Sequence, residues 1–485
     1  MKSWHRIKHN KILSGSLWTS LSTGTTAIVQ ILRLSILAHF LETSDFGIVA
    51  IITMILGFTN IFSELGFSTV VMHKQDLTQE EFSSLYWVQF ALYLVMYVLF
   101  SSMSKTIATF FSEPDIEHLL PIAMLDLFLC GIGKLYDTIM QKNFQFRVLA
   151  QRNIVASVIS LGVAVILAYY GAGVYSLIIS TLLQSFVLNF WNLIQGTKTI
   201  PLKLNCSFSL IKPLFNVGLY QTGSNVLDYI STKIDIFIIG KLLGSETLGI
   251  YNLAKELILK GSMLVNSIVN RVSLPLFAQK QNSQEALQQN YSKLISFIAL
   301  INFPICTIIG VLGYVIVPII YGDRYMEVIP ILYIISIWGC FNCIGNPVSN
   351  ITIAIGRTDM SFKYTILRLM CYIPCMIILS SYNISVLAWG TTLLTLIFIF
   401  VSWYMLLNKT IGFSLRQFVS SFIHPLICTL IIGMVGYYAI DFLANNNWTY
   451  IPILLVSLLW TLIYLSTYVY VERDVIKSMI NMLRA

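Results

Sequence analysis

Long runs of apolar residues, separated by short polar segments, extend along almost the whole chain. A helix needs about 20 mostly apolar residues to cross the hydrocarbon core of a bilayer. The predicted fold class is therefore an all-α integral membrane protein. The sequence predicts about fourteen transmembrane helices, near residues 15–38, 46–71, 84–108, 117–139, 153–172, 174–195, 214–239, 247–275, 292–319, 327–349, 364–381, 386–407, 418–443 and 450–471.

The composition agrees with a protein that is covered by lipid. Of the 485 residues, 56% are hydrophobic and 11% are charged, whereas a soluble domain usually contains about 25% charged residues. These polar residues are too few to cover the surface of a soluble particle of this size. The net charge of +8 comes from basic residues scattered through short loops, so we expect no nucleic-acid partner.

The distribution of basic residues between loops predicts the orientation in the membrane. Lys and Arg concentrate in loops on the cytoplasmic side. Most of the 30 basic residues lie in the termini and the even-numbered loops, whereas the opposite loops contain only Lys105, Lys241 and Arg324. We therefore expect a multi-pass protein of the cytoplasmic (inner) cell membrane with both termini in the cytoplasm.

A polar helix face in the first span recurs in the seventh. Positions three or four residues apart share one face of a helix. In the first span this face contains Ser16, Thr19, Thr23, Thr26, Gln30 and Arg33. Adding 202 to the last five numbers gives Gln221, Asn225, Asp228, Thr232 and Asp235. The same offset continues without a gap and pairs Leu41 with Leu243, Thr43 with Ser245, Gly47 with Gly249 and Ile48 with Ile250.

This duplication predicts two six-helix lobes followed by a helix pair. Residues 1–212 would form the N-terminal lobe, 213–410 the C-terminal lobe, and 411–485 the terminal pair with a cytoplasmic tail. Transporters use parallel repeats of this kind around a central path. Stripes of Ser and Thr also serve close helix packing. That alternative explains Arg33 and Asp235 poorly, because packing does not require formal charge.

Other ionisable residues also fall inside predicted spans, where a charge at mid-bilayer costs roughly 2.5 to 3.5 kcal/mol. Such residues face a bundle interior or a wet cavity and pair there. A charge-lined hollow between the lobes is one interpretation, and ion pairs that only fix helix register are the alternative. For residues near a span end, such as Lys255, reaching to the membrane surface is a further alternative. The set comprises Arg33, Lys134, Lys233, Lys255, Lys260, Glu64, Asp126, Asp137, Asp228, Asp235 and Glu256.

Three segments resemble a known family of membrane proteins. They are "LAHFLETSDFGIVA" (37–50), "FSELGFSTVVMHKQDLTQEEFSSLYW" (62–87) and "DIFIIGKLLGSETLGIYNLAKELILKGSMLVNSIVNRVSLPLFAQKQNS" (235–283). These segments resemble the polysaccharide transporter family of Wzx-type flippases for lipid-linked oligosaccharides, nearest the colanic-acid and teichuronic-acid exporter branch. That family belongs to the multidrug/oligosaccharidyl-lipid/polysaccharide exporter superfamily. One departure is Lys260-Gly261, where relatives often have Leu-Pro, so no role is transferred to Lys260.

The resemblance implies ion-coupled alternating access, with an oligosaccharide on a polyprenyl pyrophosphate as the cargo. The planar fork of Arg33 suits phosphate oxygens, with Lys134 and Lys233 as supporting charges. Sugar hydroxyls would bond to Gln30, Asn60, Gln221 and Asn225. The candidates for exchanging a proton or a sodium ion are the carboxylates Asp126, Asp137, Asp228 and Asp235. The polyprenyl tail would remain in lipid, along spans thirteen and fourteen.

Other functions are weighed against export of a lipid-linked sugar. The nearest alternative is a multidrug or toxin extruder of the same superfamily. A membrane polysaccharide polymerase or ligase is less favoured, because the outside connections near 109–116 and 320–326 are too short for the large loop of such enzymes. No Ser, His and Asp set is suggested either, so we predict no catalytic residue. A purely structural role would not require duplicated polar stripes.

The sequence predicts neither a cofactor nor a metal site. The eight cysteines lie mostly in apolar segments, where a thiol behaves as a small hydrophobe. Cys340 and Cys343 have C-x-x-C spacing, but no second ligand pair is near them in sequence. The expected partners are the bilayer, a lipid-linked oligosaccharide, a proton or sodium ion, and proteins of polysaccharide assembly.

Overall fold

The computed structural model describes residues 2–74, 76–204, 208–279, 283–445 and 450–471, with the backbone alone for 2–17, 208–221 and some further positions. All regular elements in these ranges are helical, which confirms the predicted fold class. Hydrocarbon offers no hydrogen-bond partners, so a chain inside it must satisfy its backbone groups internally. A helix does this within a single segment.

The chain divides into two compact units, Met1–Gly249 and Ile250–Ala485. The helices of the first unit are α1 (Lys2–Ala38), α2 (Thr43–Glu64), α3 (Phe67–His73), α4 (Gln79–Ser102), α5 (Ser104–Phe111), α6 (Ile116–Lys142), α7 (Phe146–Tyr169), α8 (Tyr175–Thr199), α9 (Phe208–Leu242) and the start of α10 (Gly244–Gln279).

The second unit contains the rest of α10 and nine further α-helices of the described chain. A short 3-10 turn, Asp323–Tyr325, follows the second of these helices, and a π-helical segment, Trp403–Asn408, follows the fifth. The helices are α11 (Gln284–Val311), α12 (Gly313–Ile320), α13 (Val328–Ala354), α14 (Thr358–Ser380), α15 (Ile384–Ser402), α16 (Lys409–Ile411), α17 (Leu415–Ser420), α18 (Ile423–Asn445) and α19 (Tyr450–Val471).

Twelve helical stretches of the described chain are long and apolar enough to cross a membrane. They coincide with twelve of the fourteen predicted spans. The remaining two predicted spans, the seventh and eighth, fall on α9 and α10, which are 35 and 36 residues long. Both of these helices run over positions whose side chains lie outside the description.

Some span boundaries differ from the predicted ones for local reasons. The third span begins at Gln79 rather than residue 84, because Thr78 and Glu81 form a capping box at the start of α4. The fifth begins at Phe146 rather than residue 153. This earlier start places Arg152 inside α7, whereas the sequence assigned it to a cytoplasmic loop.

Two tyrosines fix α6 between its neighbours in the first unit. The Tyr86 hydroxyl on α4 donates to the carbonyl oxygen of Ile132 at 3.1 Å. The Tyr136 hydroxyl on α6 donates to the carbonyl oxygen of Ile200, just after α8, also at 3.1 Å. The ring of Tyr136 lies directly on Gly196, where a Cβ would be 2.1 Å from the ring. Helix α6 is therefore held closely against both α4 and α8.

The starts of α2 and α10 cross in a reciprocal contact between duplicated residues. A Cβ on Gly47 would lie 1.8 Å from the carbonyl oxygen of Ser245, and a Cβ on Gly249 would lie 1.9 Å from that of Thr43. The offset of 202 relates Gly47 to Gly249 and Thr43 to Ser245. Each copy thus makes the same contact with the other copy, as a two-fold relation requires. This reciprocity supports the duplication inferred from the sequence.

Adding a methyl group at either crossing glycine is expected to destabilise the protein. Gly47→Ala or Gly249→Ala should lower the free energy of unfolding by about 1 to 3 kcal/mol, because the added Cβ overpacks a backbone contact. The thermal unfolding midpoint in detergent measures this. Gly162→Ala on α7 is the control, since a Cβ on Gly162 would have nothing within 4 Å and alanine favours helix by about 1 kcal/mol. Equal midpoints for all three variants would contradict the crossing.

Candidate functional site

A polar stripe on α6 faces a second polar stripe on α8. Residues four, seven or eight apart lie on one helix face. We use the name polar seam for the set formed by Asp126, Cys130 and Asp137 on α6 and Ser185, Asn189 and Asn192 on α8. The two helices approach closely here, because a Cβ on Gly133 would lie 2.5 Å from the Cα atom of Asn189.

One end of the polar seam contains a buried ion pair. Nη1 of Arg152 lies 2.8 Å from Oδ1 of Asp137, and the arginine is only 7% exposed. The same Nη1 also donates to the side-chain oxygen of Asn192. Nη2 donates to Asn153 at 2.9 Å, and Nε2 of Gln141 donates to the other Asp137 oxygen at 2.8 Å. The negative charge of Asp137 is therefore matched within the protein.

Asp126, at the other end of the polar seam, has neutral neighbours. The Cys130 thiol lies 3.7 Å from Oδ2 of Asp126 and donates to it. On the facing stripe of α8, the hydroxyl of Ser185 is buried, since the residue is 8% exposed. Asn189 orients this hydroxyl, because its Nδ2 donates to Oγ of Ser185 at 3.1 Å and to the Ser185 carbonyl oxygen at 2.9 Å. The two seam carboxylates thus have different electrostatic environments.

Two predicted substrate-binding residues lie beside the polar seam and have protein partners. Nζ of Lys134 is 3.9 Å from a carboxylate oxygen of Glu64 on α2, with both side chains partly exposed. The hydroxyl of Tyr93 on α4 donates to the side-chain oxygen of Asn60 at 3.1 Å. Tyr93 itself is fully buried. The structure therefore brings α2, α4 and α6 together around polar groups that the sequence had selected.

Arg33 lies on α1 and reaches across to α7 and α8. Its Nη1 donates to the hydroxyl of Ser160 at 3.2 Å and to that of Thr181 at 3.4 Å. Ser160 in turn donates to the carbonyl oxygen of Ser180 at 2.7 Å, which leaves its lone pairs for the guanidinium. Gln30, one turn away, is half-buried, and its Oε1 atom is buried without a hydrogen-bond partner. A basic and a polar side chain thus share this part of α1.

The hydroxyls of the α1 stripe bond to their own helix. Thr23 donates to the carbonyl oxygen of Thr19, and Thr26 donates to that of Ser22, both at 2.8 Å. Such bonds within a helix satisfy a hydroxyl without any partner from outside. The charged and amide members of the stripe are therefore more informative about function than its threonines.

The predicted residues on α9 have varied environments. Asp235 is 6% exposed, and its Oδ1 accepts the backbone N–H of Ile236 at 2.9 Å. Asn225 and Asp228 are exposed along the same helix, and Lys233 is half-buried. The side chain of Gln221 lies outside the described residues. The duplicated stripe thus presents a buried carboxylate at the position equivalent to Arg33.

In the second unit, Lys255 does not extend to the membrane surface, so that alternative is wrong for this residue. The side chain is 7% exposed, and Nζ lies 5.3 Å from the ring centroid of Trp338 and 5.6 Å from that of Tyr251. Aromatic faces attract an ammonium group at this range. Lys260 forms an ion pair with Glu256 at 3.3 Å on the same helix.

Sequence reasoning missed Arg152, Asn189 and Asn192. Arg152 was missed because the predicted span started seven residues too late, at residue 153. The two asparagines share a helix face with Ser185, at spacings of four and seven residues. The rule that revealed the stripe on the first span, applied to the sixth, would have found them.

The fold is similar to those of a solved flippase and of solved transporters. It matches the solved structure of lipid II flippase MurJ in an inward closed conformation with a TM-score of 0.68, covering 95% of this chain and 99% of that one. The sequence identity of this pair is 15%, so the likeness concerns the fold alone.

The family is defined by sequence. The family described as polysaccharide biosynthesis protein matches residues 36–330, more than half of the chain, and the chain belongs to it. The chain is 24% identical to lipopolysaccharide biosynthesis protein WzxC of Escherichia coli over 88% of its length and 87% of that protein. It is 26% identical to teichuronic acid biosynthesis protein TuaB of Bacillus subtilis, over 88% of each. The resemblance proposed from the three sequence segments is confirmed.

Removing the arginine of the buried ion pair is expected to destabilise the folded protein. Arg152→Ala leaves Asp137 charged and largely buried, which should lower the free energy of unfolding by about 3 to 5 kcal/mol. Replacing both partners, with Arg152→Met and Asp137→Leu, should restore much of this loss, because no unpaired charge remains. Unfolding in detergent with increasing denaturant measures the change.

An exposed pair of the same chemistry provides the control. Arg357 and Asp359 are 3.1 Å apart, and each side chain is 52% exposed. Arg357→Ala should therefore change the free energy of unfolding by at most about 1 kcal/mol. Comparable losses for the two arginine variants would show that burial of the Arg152 pair has no energetic consequence.

Proposed function

We propose that this protein carries a polyprenyl-pyrophosphate-linked oligosaccharide, a precursor of a surface polysaccharide, across the cytoplasmic membrane. The family and the named relatives support a role in polysaccharide biosynthesis, and the fold matches that of a lipid II flippase. Transport would proceed by ion-coupled alternating access of the two lobes, 1–212 and 213–410, with both termini in the cytoplasm. The proposal assigns no catalytic step to the chain.

The single observation that carries this proposal is that one chain has features suited to both ends of an amphiphile. Intramembrane basic and amide groups, among them Arg33 and Gln30, suit an anionic, hydroxyl-rich head. The second unit has an apolar groove between α18 and α19, with a volume of about 340 Å³. Its lining residues are Ile431, Ile432, Val435, Val456, Leu459, Trp460, Ile463 and Thr467.

Trp460, which lines the groove, is fixed in position by its neighbours. Nε1 of Trp460 donates to the carbonyl oxygen of Ile432 at 3.1 Å, and its ring stacks on that of Tyr464 with centroids 5.3 Å apart. Gly436 lies beneath the indole, where a Cβ would be 2.2 Å from the ring. The tryptophan is therefore held in place, and the apolar wall is open to a polyprenyl chain. This agrees with the expectation that the tail follows spans thirteen and fourteen.

Arg33 is the residue that we assign to the pyrophosphate. Arg33→Ala should abolish surface-polysaccharide export in a deletion strain while the protein level stays normal, because the guanidinium fork is lost. Arg33→Lys should retain part of the activity, since it keeps the charge without the fork. The exposed Arg416, changed to Ala, is the control and should export normally. Full export by Arg33→Ala would exclude this assignment.

A second experiment uses Asp235, the residue that corresponds to Arg33 in the repeat. If Asp235 balances the charge of Arg33, the double variant Arg33→Asp with Asp235→Arg should recover part of the export that either single change removes.

The deletion strain also separates the alternative functions. A flippase for lipid-linked sugar should leave drug sensitivity unchanged when deleted, whereas a multidrug extruder should not.

Filling the apolar groove should impair export through the lipid tail. Val435→Trp places a large ring in the groove and is expected to reduce export several-fold at unchanged protein level. Met434→Trp is the matched control, because Met434 is the neighbouring residue of α18 and is similarly exposed, at 57% against 62%, but does not line the groove. Photolabelling with a polyprenyl phosphate probe should fall in the first variant only. Equal labelling of both would argue against a tail site here.

A further inference from the structure

Arg368 lies inside α14 (Thr358–Ser380), a helix that is long and apolar enough to cross a membrane. It is the last charged residue of this helix, because the twelve residues that follow it carry no charge. It lies five residues beyond Lys363, which corresponds to about 7.5 Å along the helix axis. Lys363 is exposed, whereas Arg368 is half-buried. The arginine therefore lies within the apolar part of the helix.

The guanidinium of Arg368 rests on an aromatic ring. Its Cζ atom lies 5.4 Å from the ring centroid of Tyr372. Tyr372 is 5% exposed, and its hydroxyl donates to the carbonyl oxygen of Thr391 on α15 at 3.3 Å, so the ring has a fixed position. Tyr364, one turn before Arg368, donates in the same way to the carbonyl oxygen of Phe398 at 3.2 Å. One face of α14 thus presents the arginine between two tyrosines that are bonded to α15.

Arg368 lacks the polar partners that Arg33 and Arg152 have inside the first unit. Arg152 pairs with Asp137, and Arg33 donates to two hydroxyls. Among the residues that the structure describes, no ion pair within 4 Å includes Arg368, and its Nε atom is buried without a hydrogen-bond partner. An aromatic face attracts the cation but leaves the N–H groups in the guanidinium plane available. A charged donor in this state is costly inside a bilayer.

Reaching the cytoplasmic surface is the alternative for an arginine at this depth. In the predicted orientation, α14 enters the membrane from the cytoplasm, so Lys363 marks that surface. The guanidinium instead contacts Tyr372, which lies one turn deeper than Arg368 itself, and Nε is buried. The contact with Tyr372 therefore opposes extension of the charge toward the surface.

The surroundings of Arg368 favour an anion that carries an apolar tail. Leu367 and Met370 are 40% and 70% exposed, and Cys371, three residues further along the helix, is also exposed. Lipid can therefore reach this part of α14. A free anion would have to leave water to reach this depth, whereas the phosphate of a lipid can be drawn inward from the membrane surface. A guanidinium binds phosphate oxygens through paired hydrogen bonds.

We propose that Arg368 binds the pyrophosphate of the lipid-linked cargo on the cytoplasmic half of α14, as a second phosphate-binding residue besides Arg33. The inference rests on the proposed function, because it takes the phosphate to be that of the cargo. The charge of Arg368 is then compensated only when the phosphate is bound. Arg368 would therefore strengthen cargo binding without stabilising the empty protein, whereas a purely structural arginine would stabilise the empty protein.

Cys371 provides a reporter for this site, because its thiol is exposed and lies one turn of α14 from Arg368. In the purified full-length protein, farnesyl pyrophosphate should slow maleimide labelling of Cys371 several-fold, as measured by mass spectrometry of the peptide that contains it. Farnesol, which has the same tail without the phosphates, should not slow it. Arg368→Met should raise the farnesyl pyrophosphate concentration for half protection about tenfold, and Arg368→Lys should have an intermediate effect.

Arg357→Met is the matched control for Arg368→Met. Arg357 immediately precedes α14, its side chain is 52% exposed, and it pairs with Asp359. Farnesyl pyrophosphate should therefore protect Cys371 in this variant as it does in the unaltered protein. Protection that Arg368→Met does not weaken would overturn the inference. Equal protection by phosphatidylglycerol would also overturn it, because the site would then bind bilayer phospholipid and not the cargo.

The thermal unfolding midpoint without ligand separates a binding role of Arg368 from a structural one. Arg368→Met should unfold at the same temperature as the unaltered protein or at a higher one, because the change removes an uncompensated charge. A lower midpoint would show that the arginine stabilises the empty protein and would overturn the inference.

The experiments also separate this site from the proposed function. Protection of Cys371 that depends on Arg368, together with normal polysaccharide export in the deletion strain, would refute the proposed function alone. Loss of export in that strain without any protection of Cys371 would refute the Arg368 site alone.

Discussion

A charge inside a bilayer needs its partner within the protein, because hydrocarbon supplies neither water nor counterions. This constraint explains the most detailed part of the first unit. Arg152 is buried together with Asp137, and the remaining lone pairs and protons of the pair are taken up by Asn192, Asn153 and Gln141. A buried ion pair contributes little net stability unless such additional bonds are present. The polar seam meets this condition at one end and leaves a carboxylate with neutral partners at the other.

Close backbone approach is the second constraint on this arrangement. Membrane helices gain little from apolar contact, since lipid is equally apolar, and they associate where small residues let them approach. Gly133 on α6 lets Asn189 of α8 approach closely. Gly196 on α8 likewise lets the ring of Tyr136 on α6 approach α8. Gly47 and Gly249 do so at the crossing of α2 and α10. The same small residues that pack the helices therefore also place the polar groups at bonding distance.

The sequence predicted the helical class, the span positions and the duplicated polar face, because each is a periodic property of a single segment. It selected both Asp126 and Asp137 as candidate ion-exchanging carboxylates but could not distinguish them. Their difference depends on Arg152, which reaches Asp137 from another helix. Lys255 shows the same limit: proximity to a span end suggested exposure, whereas Trp338, more than 80 residues later in the chain, helps to bury it. Tertiary partners at long sequence separation were inaccessible to helix periodicity.

The separation of charge from apolar surface within this chain bears on how an amphiphile is moved. A pyrophosphate head requires compensation at every depth of the membrane, whereas a polyprenyl tail is as stable in lipid as in any groove. For the proposed cargo, the costly part of transport is therefore the head, and its route would need fixed basic and amide groups, the role proposed for Arg33 and Gln30. A groove such as that between α18 and α19 adds little affinity for the tail but restricts where it lies. On this view, charge compensation at the head sets the barrier to transport of the proposed cargo, and the groove limits only where its tail lies.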